Sequence, residues 1–178
     1  MTRDRRASYL LTGALLCAAF AIKWWYREAT VDELGFVLRP VSALVSAITG
    51  AASSYDPAAG HLFPTLGILI DRSCSGINFL VIATACFALV IMRRPDAGCS
   101  RPLLALLAFA GAYVLTIVVN AGRIVTLVRA AQSGLHLAPR AHEAVGAFFF
   151  LGALLISVLL LQRLLTRVPH HITSNTAH

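Results

Sequence analysis

Three residues of this 178-residue chain pair a nucleophile with a fixed cation and a proton carrier: Cys74, Arg123 and His142. A thiolate attacks carbonyl carbon, and an arginine stabilises the negative charge that develops. A histidine, whose ordinary pKa is about 6.5, returns a proton to the leaving group. Together these roles describe acyl transfer. Cys74 stands in Cys74-Ser75-Gly76, at the head of an apolar run. A helix N-terminus presents free N–H groups and the positive end of the macrodipole, which favour a thiolate. Arg72 adds positive potential, and Gly76 lets the backbone turn tightly or a substrate approach closely. Ser73 and Ser75 are rival nucleophiles, but no Gly-x-Ser-x-Gly elbow surrounds them. Asn120 lies three residues before Arg123 and shares its helix face. Glu143 either orients His142 or places negative charge in a first helical turn. His61 and His136 compete for the proton-carrier role from loops. Each residue also has a plainer explanation: a small buried hydrophobe for Cys74, a headgroup-seeking cation for Arg123, an interfacial imidazole for His142.

The elements that must position these residues are apolar. The chain is 58% hydrophobic and 13% charged, against about 45–50% and about 25% for soluble domains. The excess is concentrated in long runs at Tyr9 to Ile22, Gly76 to Met92, Pro102 to Val119 and Val145 to Leu161. A bilayer-crossing helix takes roughly 20 mostly apolar residues. The expected fold is an all-α integral membrane protein: a bundle of about four transmembrane helices at roughly 8–26, 76–92, 102–122 and 143–162. The first run follows Arg3, Arg5 and Arg6, as a signal peptide would. Trp24, Trp25 and Tyr26 stand where a cleavage site would lie, so an uncleaved anchor is expected. Residues 34–52 are moderately apolar, with Arg39-Pro40 near their start and Gly50 near their end, and are expected as a re-entrant or interfacial helix. Leu66 to Ile70 is expected to lie extended on the outer surface, among the turn formers Asp56-Pro57, Gly60 and Pro64. One domain over 1–169 and a disordered tail over 170–178 complete the expectation.

Short basic loops stay cytoplasmic. Arg3, Arg5 and Arg6, then Arg93, Arg94 and Arg101, then Arg163 and Arg167 mark three such regions. An even number of spans between each pair puts residues 27–75 outside. Cys74, Arg123 and His142 then fall at one depth, at the non-cytoplasmic face. The net charge of +7 is spread over helix ends. That pattern indicates orientation in the membrane and attraction to anionic lipid, with no nucleic-acid partner expected. Cys17 and Cys86 lie in apolar runs and Cys99 in an arginine-rich loop, with no Cys-x-x-Cys and no histidine-rich cluster. No metal, cofactor or disulfide framework is expected.

Cys74-Ser75-Gly76-Ile77-Asn78-Phe79-Leu80, then Asn120-Ala121-Gly122-Arg123-Ile124, then His142 with Gly146, resembles the exosortase/archaeosortase family across residues 34–165. The chain looks like a compact form, of the exosortase K type, without the additional spans of many members. The resemblance implies a multi-spanning cysteine transpeptidase or protease of a bacterial inner membrane, with a Cys-Arg-His triad at the outer face. It implies substrates that are secreted proteins ending in a sorting motif, a hydrophobic span and a basic tail. The new C-terminus would pass to an acceptor. The alternative is a non-enzymatic membrane protein, an assembly subunit or small-molecule carrier. Such a protein would line a path with intramembrane polar groups, whereas the polar residues here gather at one rim.

Overall fold

The computed structural model describes residues 13, 17–18, 20–92, 101–135 and 139–167, except the side chains at 92, 101–102, 139–143 and 166–167. Residues 20–28 form helix α1. Residues 8–12, 14–16 and 19 of the expected span at 8–26 therefore lie outside the described residues, as do the expected tail, Cys99 and His136.

A tight turn links α1 to α2 (Gly35–Thr49). The turn closes as a capping box: Thr30 N–H and Oγ1 donate to Glu33 Oε2 at 2.7 and 2.9 Å, and Glu33 N–H donates to Thr30 Oγ1 at 3.3 Å. Those bonds hold the Glu33 carboxyl below its ordinary pKa. Helix α2 buries Val37, Leu38, Val41 and Val45 along one face. It contains Pro40, which cannot donate to the carbonyl of Phe36 one turn earlier. Tyr113 supplies the missing donor, its hydroxyl bonding Phe36 O at 2.6 Å. The helix ends at Gly50, whose φ of 73° suits glycine. Fifteen residues make about 22 Å of helix, too short to cross a hydrocarbon core of about 30 Å.

The next twenty residues correct the all-α expectation. They form an antiparallel meander of β1 (Ser54–Asp56), β2 (Gly60–Phe63) and β3 (Ile68–Ile70), in the order β1-β2-β3. The register pairs Tyr55 with His61 and Leu62 with Leu69. Asp56 Oδ1 closes the first turn by accepting from Ala58 N–H at 2.7 Å and Ala59 N–H at 3.1 Å. Pro64 and Gly67 shape the second turn, with Leu66 N–H bonding Phe63 O at 3.1 Å. Of the stretch Leu66 to Ile70 expected to be extended, only Ile68–Ile70 is, paired into the sheet, while Leu66 and Gly67 belong to the turn. Strands of three or four residues are too short to show a period in the sequence.

A 3₁₀ turn (Arg72–Cys74) leads into α3 (Ile77–Met92), followed by α4 (Arg101–Gln132) and α5 (Pro139–Arg167). Among the described residues, three stretches are long and apolar enough to cross a membrane: Arg72–Ile91, Leu103–Gln132 and Ala144–Leu165. Helix α4 runs ten residues past the expected end at 122. The core packs α2 and α3 against α4, where Ala108, Ala112, Thr116 and Asn120 present a stripe of fully buried small and polar residues. Small side chains there let the helices approach closely.

Candidate functional site

The segment carrying Cys74 is pinned from three sides. Asp71 caps the 3₁₀ turn, its Oδ1 accepting from Ser73 N–H at 2.9 Å and from Ser73 Oγ at 2.6 Å. The Arg72 guanidinium donates to the carbonyls of Arg27 and Ala29, each at 3.3 Å, at the C-terminal end of α1. A cation is favourable there. Tyr26 Oη donates to Arg72 O at 3.0 Å and accepts from Ser75 Oγ at 3.3 Å. From α4, the Asn120 amide donates to Cys74 O. Arg72 thus serves chiefly as a brace between α1 and the cysteine turn. Ser75 is fully buried with its hydroxyl engaged, and the Ser73 hydroxyl is bonded to Asp71, 3.9 Å from Cys74 Sγ.

Gly76 has a φ of 67°, and a Cβ there would sit 3.2 Å from Thr116 Cγ2 and 3.6 Å from Asn120 Nδ2. Glycine is required for both conformation and space. The cysteine turn is thereby laid directly on the polar patch of α4.

Arg123 lies about one turn beyond Asn120 on α4. Its guanidinium stands over the Phe150 ring at 5.2 Å from the centroid. A Cβ at Gly146 would come 3.0 Å from Arg123 Nη1, so the missing side chain on α5 makes the arginine's seat. Phe79 of α3 stacks on Phe150 at 4.8 Å and closes the floor. Arg123 Nε is buried without a hydrogen-bond partner among the described residues.

Cys74 and Arg123 line one cavity of about 550 Å³. One wall is residues 66–70, and the other is a stripe of α4 formed by Ile124, Leu127, Val128 and Ala131. The cavity offers a thiol and a cation among mostly apolar side chains, with the Gln132 amide also on its wall. His142 belongs to α5, exactly four positions before Gly146, so the two share a helix face one turn apart. The side chains of His142 and Glu143 lie outside the described residues.

His61 occupies a different place. It is buried in β2, 8% exposed, with its ring 4.9 Å from that of Tyr55 and Nε2 unpartnered among the described residues. Burial, and secondarily the Arg39 cation, hold its pKa below the ordinary value. Tyr55 Oη donates to Asp32 Oδ1 at 2.7 Å, and that bond raises the phenol's pKa. Asp32 also pairs with Arg39 at 3.3 Å, and Arg39 stands over the Tyr55 ring at 5.6 Å. This cluster staples the hairpin to the start of α2, and His61 does not line the Cys74 cavity.

Sequence reasoning missed Tyr26, Asp71 and Phe150. Asp71-Arg72-Ser73 is a cap signature that could have been read. Tyr26 and Phe150 carry no local signal, because their roles arise from contacts 46 and 27 positions away in the chain. Among the described residues, no group of His, Cys, Asp or Glu could hold a metal ion. No family model matches this chain, and no curated protein or solved structure does either.

Proposed function

We propose that this chain is a membrane-embedded cysteine transpeptidase or protease, similar to the exosortase/archaeosortase family, acting on C-terminal sorting signals of secreted proteins. The observation that carries the proposal is the shared cavity of Cys74 and Arg123, residues 49 positions apart in the chain. Three helices suited to crossing a bilayer support the membrane setting, and the basic clusters support a non-cytoplasmic site.

In the proposed reaction Cys74 Sγ attacks the carbonyl carbon of the scissile peptide bond. Arg123 lies beside the oxyanion and draws off its charge. The tetrahedral intermediate collapses with cleavage of the C–N bond, and His142 hands its proton to the departing amine. The thioester then accepts a nucleophile, an amine or water. Attack forms the new acyl bond, returns the nucleophile's proton to His142 and expels the thiolate. A substrate tethered by its own hydrophobic span reaches the cavity by diffusing in two dimensions, so its cleavage site arrives at a fixed depth.

The test is processing of co-expressed secreted proteins that end in a motif, a hydrophobic span and a basic tail. Cys74→Ala and Arg123→Ala each abolish processing while the protein still inserts. Undiminished processing by Cys74→Ala excludes the nucleophile.

A further inference from the structure

We infer that the free edge of β3 is a binding rail for the substrate's main chain, which adds to the sheet as a fourth strand inside the Cys74 cavity. This rests on the acyl-transfer proposal for the catalytic end of the cavity, but its own support is separate. In a strand, side chains alternate between faces. Here Ile70 is buried and Leu69 exposed, yet Ile68, Leu69 and Ile70 all border the cavity. A strand that presents every residue to a hollow meets it edge-on. β3 pairs only with β2 among the described residues, so its other edge carries N–H and C=O groups with no strand beside them. Backbone groups in that state pair readily with an extended chain.

The opposite wall fits such an occupant. Ile124, Leu127, Val128 and Ala131 recur at helical spacing, giving one apolar face of α4 across the cavity from the strand. Among the described residues, Arg123 is the only charged one lining the cavity, and it only donates hydrogen bonds. Its guanidinium complements an occupant rich in carbonyl oxygens. A peptide main chain supplies those acceptors at every residue. The volume of about 550 Å³ lies within the range of roughly 300–1,000 Å³ usual for ligand sites. The strand continues into the cysteine turn, since only Asp71 separates β3 from the 3₁₀ turn. A segment paired along β3 therefore leads directly to Cys74. Recognition through the main chain also explains how a site with few polar side chains could hold a peptide. The substrate class is accordingly an unfolded, extended segment recognised through its main chain, with apolar side chains that suit the apolar lining.

The full chain in detergent micelles tests this with four-residue peptidyl chloromethyl ketones built of alternating valine and alanine. The probe alkylates Cys74 by forming an S–C bond as chloride leaves, and mass spectrometry reads the rate at that residue. Analogues carry one N-methyl group at each amide in turn. Pairing along a strand edge uses alternate amides. Methylation at those positions should slow alkylation of Cys74 by roughly three- to tenfold, the worth of one hydrogen bond. Methylation at the intervening positions should leave the rate unchanged. A uniform effect, or none, overturns the rail. If the alternation is seen while Cys74→Ala leaves processing intact, the rail stands and the transfer chemistry falls. If Cys74→Ala abolishes processing and no alternation is seen, the chemistry stands and the rail falls.

Discussion

Gly76 combines two demands that can be separated by experiment. Its φ of 67° excludes a side chain on conformational grounds, and Thr116 and Asn120 exclude one on spatial grounds. Gly134 has a φ of 85° with nothing within 4 Å of a built Cβ. Gly134→Ala should therefore cost only the backbone strain, about 1–2 kcal/mol. Gly76→Ala should cost more, because Thr116 must also give way, and it should slow alkylation of Cys74 by lifting the turn from α4. Denaturation in micelles, read beside thiol reactivity, checks both. His61 makes a second prediction at this scale. Its pKa in the folded chain is depressed, so the unfolded chain takes up the proton first. The stability gained by keeping it neutral is complete above the ordinary histidine value of about 6.5. That stability is lost as pH falls from there through the folded value. His61→Phe should flatten the acid side of the stability profile measured against the parent chain.

Helix α2 shows how one residue type sets a long-range contact. Pro40 removes the N–H that would bond Phe36 O, and Tyr113 of α4 fills the gap. Tyr113→Phe should destabilise the protein by about 1 kcal/mol. In a Pro40→Ala background the restored amide bonds Phe36 O, and the same change should cost less. A double-mutant cycle measures the difference. Legibility in the sequence followed element length. The three long helices were readable because each carries an apolar run near bilayer length, and the end of α2 was readable from Gly50, whereas Pro40 lies inside the helix and marks no break. The sheet was not. Its turn formers were visible, but Ser54–Asp56 and Ile68–Ile70 are three residues each, and only pairing across the hairpin defines them as strands. Cys74 and Arg123 were placed together from the order of helix ends, and they do share a cavity. The brace through Tyr26 and Arg72 was invisible because it joins α1 to the cysteine turn through backbone carbonyls, which every sequence possesses.

At the scale of the molecule, the helices divide the labour. Only 6% of the apolar window of α5 is buried within the protein, and Phe148, Leu151, Ile156 and Leu159 face outward. Such a surface needs an apolar solvent, which a bilayer supplies in the proposed setting. Helix α4, with 32 residues, is about 48 Å long, well beyond a core of about 30 Å. Its surplus stands at the end bearing Arg123, beside the meander, and together they wall the cavity. In the proposed setting, this cleft is where a membrane-tethered peptide would arrive. The proposed reaction passes through a thioester on Cys74, and that bond is directly measurable. Mass spectrometry of the Cys74-containing peptide, isolated from cells co-expressing the tethered secreted proteins, should find an adduct. Its mass should match the newly exposed C-terminus of a substrate, and hydroxylamine should remove it. Processed substrate alongside a Cys74 that never carries such an adduct, and whose replacement by alanine leaves the yield unchanged, would contradict the proposal.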